Sequence, residues 1–243
     1  MVTLHTTYFG PVQWYQQLYR SECVYIDRNE RWQKQTIRNR CYIATANGVQ
    51  ALSVPIVHKA PSNLPPEGEA STTHHPTPVS PPQGGVGGGF LTRDIRISDH
   101  GKWRREHWNA LQSAYGESPF FDYYADDIRP FFTEKWEFLF DFNLAIIHKM
   151  CELLDIEAHI KPHPLSPSPK GEGEAFGKGG ESLNPSSLPY RGRLRGGELR
   201  SGWGRGGSLL PYYQVYQQKH GFLPNLSILD LLFNMGNEAI LYL

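Results

Sequence analysis

The chain has 243 residues, 39% of them apolar, and 24 basic side chains balance 24 acidic ones. That length suits one large domain or two small ones, and a net charge of zero removes any whole-molecule argument for binding nucleic acid or an anionic membrane. No apolar run approaches the roughly 20 residues of a membrane span.

The first residues, MVTLHTTYFGPVQWYQ, hold no basic stretch followed by an apolar one, so no signal peptide is expected. VTLHTTYF at 2–9 reads as a strand. Pro11 can open a helix that carries Trp14, Tyr15, Leu18 and Tyr19 on one side. CVYID at 23–27 is a second strand. RNRCYIAT at 38–45 and ALSVPIV at 51–57 are two more, joined across Asn47-Gly48, where both residues tolerate positive φ. TRDIRIS, 92–98, is a further strand. Trp103, His107, Leu111 and Tyr115 recur every four residues and predict a helix over 101–115. Ser118-Pro119 is a suitable N-cap and first-turn pair for the next helix. Trp136, Phe140, Asn143, Ile147, Met150 and Leu154 trace one face of a long helix. Asn225 can cap LSILDLLFNMG, and Gly236 can end it. Strands come early and helices late, which predicts an α/β or α+β fold in one domain, 1–243. A mixed sheet comes from the N-terminal half and helices from the C-terminal half.

Two stretches break this pattern. Residues 60–89 and 163–207 hold most of the glycine and proline and few aliphatic side chains. Such composition cannot bury enough apolar surface to offset its ordering entropy, so both are expected as disordered insertions. They share a phrase, PPEGEA in one and KGEGEA in the other, as copies of one repeated element would. YRGRLRGGELRSGWGRGG at 190–207 has an RGG-like character suited to nucleic acid, with Tyr190 and Trp203 as stacking rings. Four glutamates, Glu172, Glu174, Glu181 and Glu198, dilute its charge, and no nucleic-acid partner is expected. His74 and His75 have no ligand cluster around them.

The densest polar stretch is DRNERWQKQTIRNRC at 27–41. As a strand it puts Arg38 and Arg40 on one face and Asn39 on the other. Two guanidiniums side by side favour an anion between them, and Arg suits planar capture of carboxylate or phosphate. The alternative is a solvated face paired to Glu30, Asp27 or Asp94. In the next block, Asp126 and Asp127 can do acid–base work or hold hydrated Mg²⁺. They can equally favour the positive end of a helix as first-turn acids. His107 is a candidate general base, or a core histidine on the face shared by Trp103 and Leu111. His5, near the first strand's end, is a weaker candidate. Asp230 lies between apolar residues, so its carboxylate needs partners. No P-loop, HExxH or GxSxG motif occurs, and the one GxGxxG string, GWGRGG at 202–207, lies in a glycine-rich stretch rather than between a strand and a helix. Cofactors remain unknown from the residues, and no metal site is expected. Cys23, Cys41 and Cys151 are sparse and widely spaced, which fits a reducing cytoplasm.

Taken together, YFGPVQWYQQL, RWQKQTIRNRC, ANG followed by LSVPI, HWNALQSAYGESPFFDYYADDI and LPNLSILDLLFNMG resemble the WbqC-like protein family. The resemblance runs through all three ordered blocks and skips both glycine-rich stretches. It implies a bacterial protein associated with surface-polysaccharide, O-antigen-like gene clusters. It further implies a transferase of acyl, aminoacyl or glycosyl type in lipopolysaccharide biosynthesis. The expected partner is a small anionic substrate, a nucleotide sugar or activated acyl donor. The resemblance brings no catalytic set of its own; by residue type, Lys34, Gln35, Arg38, Asn39, Arg40 and Tyr115 are the candidates to bind it, and His107, Asp126 and Asp127 the candidates for the chemistry. The alternative is a non-catalytic binding or scaffold protein of the same pathway.

Overall fold

The computed structural model describes residues 2–57, 90–157, 160–162 and 210–243. The expected insertions at 60–89 and 163–207 lie outside the described residues, as do His74 and His75.

The chain begins as a β–α–β unit. β1 (Val2–Leu4) lies parallel to β2 (Val24–Ile26), with Val2 opposite Val24 and Leu4 opposite Ile26. Between them runs α1 (Val12–Tyr19), whose Val12, Trp14, Tyr15 and Leu18 are buried, while Tyr19 is exposed. A third parallel strand, β7 (Ile160–Pro162), joins the other edge of β2. Antiparallel pairing occurs in two smaller sheets. β3 (Arg40–Thr45) and β4 (Gly48–Ser53) form a hairpin, and β5 (Ile56–Val57) pairs with β6 (Arg96–Ile97). The expected mixture of pairings is therefore present, divided among three small sheets. The helices follow: α2 (Trp103–Tyr115), α3 (Phe121–Ile128), α4 (Pro130–Thr133), α5 (Leu139–Leu153), α6 (Gln217–His220) and α7 (Ile228–Met235). One buried apolar cluster reaches from Leu4 to Leu243 and draws on nearly every element, with all of Ile228, Leu229, Leu231, Leu232 and Phe233 inside it.

Several boundaries differ from the sequence reading, each for a local reason. The first strand stops at Leu4 because Thr7 and Tyr8 turn to a different partner. Thr7 Oγ1 and the Tyr8 N–H both donate to the Ile37 carbonyl, at 3.1 and 2.9 Å. The turn passes through Phe9 at φ 40°, a region a bulky residue rarely enters. Its ring is held between Phe131 and Phe132, and its carbonyl accepts from Ser227 Oγ at 2.7 Å. Arg38 and Asn39 belong to a turn, and β3 starts only at Arg40. The hairpin loop is Ala46-Asn47, with Gly48 at φ 108° opening β4, so only the glycine takes positive φ. Residues 92–94 form a 3-10 turn ahead of the short β6. Ser118 does not cap the next helix; its Oγ donates to the Tyr115 carbonyl at 2.6 Å, and α3 begins at Phe121. Trp136 precedes α5. α7 is capped by Ser227, whose Oγ accepts from the Leu229 N–H, rather than by Asn225. Gly236 does end α7, at φ 56°, and an added Cβ there would meet the Phe120 ring at 2.7 Å.

Candidate functional site

In a parallel sheet, the chain leaves each strand at the same edge, and side chains just beyond the carboxyl ends converge there. β1 delivers His5, Thr6 and Thr7 to that edge. β2 delivers the loop beginning at Asp27, and this loop bends back to bring Glu30 against His5. Glu30 is buried, yet it is a carboxylate with partners on both oxygens. Arg38 Nε donates to Oε1 at 2.8 Å, and Arg38 Nη2 and His5 Nδ1 both meet Oε2. Burial alone would raise the Glu30 carboxyl, but the bonds from His5 and Arg38 outweigh it and hold it below the usual range. The Glu30 carbonyl accepts from the Thr92 N–H at 2.9 Å, which pins the loop from the other side.

Arg38 is 1% exposed. Its remaining arm reaches Thr36 Oγ1 at 3.2 Å, and its carbonyl accepts from Asn143 Nδ2 of α5 at 2.7 Å. The guanidinium is thus committed to Glu30, the first of the acidic partners the sequence offered. Arg40 takes a separate course. Its Nε donates to Ser53 Oγ at 2.7 Å across the hairpin. Because β3 starts at Arg40, strand alternation does not put the two arginines on one face. Asn39 is buried and donates to the Val54 carbonyl at 3.2 Å. Lys34 and Gln35 sit at the exposed tip of the same loop, Gln35 at φ 56°. By contrast, the His5 side chain keeps 33% of its surface. With Nδ1 turned to Glu30, Nε2 is its outward nitrogen.

His107 and Tyr115 lie inside the molecule. His107 is 6% exposed. Its Nδ1 meets the Tyr8 hydroxyl at 2.8 Å, and a bond to the Ser53 backbone holds the ring from the other side. Trp103, Phe132 and Tyr8 surround the ring. Burial pushes its pKa down to about 4, so it is neutral at pH 7 and accepts from Tyr8. Tyr115 donates to Asp230 Oδ1 at 2.9 Å and accepts from the Ala44 N–H at 3.2 Å. Asp230 has two further donors on Oδ2, Tyr212 Oη at 2.7 Å and Gln214 Nε2 at 3.0 Å. Burial still prevails over these three bonds and raises the Asp230 carboxyl to about 6.

Asp126 and Asp127 fall in the last turn of α3, so they are not first-turn acids. Asp126 is exposed, and Asp127 lies 3.7 Å from Lys149 Nζ of α5. Among the described residues, no group of three or more His, Cys, Asp or Glu side chains is placed to hold a metal ion. No helix among them is long and apolar enough to cross a membrane.

Sequence reasoning underrated His5 and named Glu30 only as a possible counter-ion. The usable signal was position: each follows closely on a short strand of a β–α–β unit. Asn143 was visible only as one residue of a helix face.

Comparison with known proteins finds likeness to one family over part of the chain. The model of the WbqC-like protein family matches residues 84–171, which include β6, α2, α3, α4, α5 and β7. That is the middle block and its flanks, a shorter span than the sequence resemblance suggested. The uncharacterized protein Rv1507c of Mycobacterium tuberculosis (strain ATCC 25618 / H37Rv) is 26% identical over 225 residues, covering 88% of this chain and 84% of that protein. No solved structure matches the chain.

Proposed function

We propose that this WbqC-like chain is a transferase of surface-polysaccharide assembly, moving an acyl, aminoacyl or glycosyl group from an activated donor to a sugar hydroxyl or amine. The observation that carries the reading is the His5–Glu30–Arg38 cluster at the carboxyl edge of the parallel sheet. A carboxylate behind one ring nitrogen fixes the tautomer and leaves the other free to take a proton. Arg38 keeps that carboxylate ionised and still. His5 Nε2 would remove the proton from the acceptor's hydroxyl or amine as that oxygen or nitrogen bonds to the donor's acyl or anomeric carbon. The leaving thiolate or phosphate departs with the bonding electron pair, and the proton on His5 passes to it or to water. His5 is favoured over His107 for this role because His107 has little exposed surface and both its ring nitrogens are engaged. Lys34, exposed on the same loop, remains available to meet negative charge.

The test is mass spectrometry of reactions pairing nucleotide sugars or acyl-coenzyme A donors with amino-sugar acceptors. Product is expected with one donor class. His5→Asn should lower the rate by about 10²-fold or more, the usual weight of a general base, with an unchanged melting midpoint. Donor binding without turnover in the wild type would move the chain to the non-catalytic binding alternative.

A further inference from the structure

A cleft of about 320 Å³ opens between the start of α2 and α4, away from the His5 cluster in the sequence. Four cations line it: Lys102, Arg104, Arg105 and Arg129. Trp108 and Phe132 supply its aromatic wall, their ring centroids 5.8 Å apart. No carboxylate is among the lining residues. Arg129 stands over the Trp108 ring at 6.0 Å, and Arg104 over Trp103 at 4.6 Å. Arg104 Nη1 pairs with Asp99 at 2.7 Å, but its Nε and Nη2 are buried with no hydrogen-bond partner among the described residues. Lys102 sits at the N-cap of α2, and its side chain makes no capping bond there.

Each feature asks for the same ligand chemistry. Like charges gathered around one concavity repel unless an anion enters. Arginine forks and a helix N-terminus both suit phosphate oxygens. A tryptophan face beside them offers a stacking surface to a planar base. The volume falls at the lower end of small-molecule sites. We infer that this cleft binds a nucleoside diphosphate, with the diphosphate on the arginines and the base against Trp108. The inference deepens the transferase reading and rests on it only for what the nucleotide would carry.

Calorimetric titration of the full chain with UDP, ADP and inorganic pyrophosphate tests it. At least one of the two nucleotides should bind saturably and more tightly than pyrophosphate. Arg105→Ala combined with Arg129→Ala should weaken that binding about tenfold or more, as loss of charged contacts does. Trp108→Leu should reduce nucleotide affinity toward that of pyrophosphate. Arg105 and Arg129 are exposed, so the double variant should melt with the wild type. Absence of saturable nucleotide binding at millimolar concentration, or undiminished binding by the double variant, overturns the inference. Tighter binding of a single-stranded oligonucleotide than of either nucleotide also overturns it. His5→Asn separates the two proposals, since it should lose turnover and keep nucleotide affinity. Product formed from a donor without a nucleotide, with no nucleotide bound, would sink the cleft and leave the transferase. Nucleotide bound with no donor turned over would do the reverse.

Discussion

Burial pushes the Asp230 carboxyl up to about 6 and the His107 imidazole down to about 4. The two shifts act on stability with opposite sign. An ordinary aspartate titrates near 4, so between pH 4 and 6 the folded state holds a proton on Asp230 that the unfolded chain has lost. Stability from this group is therefore full below pH 4 and lost as the pH rises through 6. His107 is the mirror case. Between pH 4 and 6.5 the unfolded chain is protonated there and the folded one is not, so its contribution is present above 6.5 and lost as the pH falls through 4. At about 1.4 kcal/mol per pH unit, each group moves stability by about 3 kcal/mol, and over the shared window they offset one another. Asp230→Asn removes one arm. Relative to wild type, its urea unfolding free energy should climb by about 3 kcal/mol from pH 4 to 6. Parallel pH curves for the two proteins would show that Asp230 does not titrate as described.

The loop from Asp27 to Asn39 shows why charged sequence is hard to read at the level of an element. Its composition suggested an arginine strand that either grips an anion or lies solvated beside acidic partners. In the fold, Arg38 is drawn inside by Glu30, eight residues earlier, and by Asn143, which arrives from α5. Removing one member of a buried ion pair strands the other, so Arg38→Ala should cost about 3–5 kcal/mol in urea unfolding. Lys34→Ala, four residues away and exposed, should stay within about 0.5 kcal/mol. Equal effects would mean that the pair is not closed in solution. Elements governed by their own periodicity were legible beforehand: α1, α2, α5 and α7, and the hairpin around Gly48. Strands containing β1, β5 and β6 were legible too, but not their ends, because those depend on partners far along the chain, such as the Ile37 carbonyl that takes Thr7 and Tyr8. The His5–Glu30 contact was hidden for the same reason: it exists only once β1 and β2 are side by side.

Over the whole molecule, the chain on either side of 60–89 is anchored without that stretch. β5 is held by β6, with Ile56 opposite Ile97, while the Phe90 carbonyl accepts from the Trp32 N–H at 2.8 Å. Loop-closure cost grows only slowly with length, by about 0.6 kcal/mol per doubling. Replacing 60–89 with a short glycine–serine linker should therefore leave one cooperative thermal transition within a few degrees of the full chain's, read by circular dichroism. Two separate transitions, or none, would make that stretch part of the fold.

The cap of α7 has a consequence in time. Phe9 and Gly10 give their carbonyls to Ser227 Oγ and the Ile228 N–H, and Val12 gives its N–H to the Leu226 carbonyl. The opening turn of the protein is thus completed by its closing helix. A ribosome adding about 5–20 residues per second needs roughly ten to forty seconds to travel between them. Through that interval the first helix waits with its apolar face and its backbone groups unmet. The nascent chain should for that reason lean on chaperones early in synthesis, and slow codons near the end of the message should lengthen its exposure rather than help it fold.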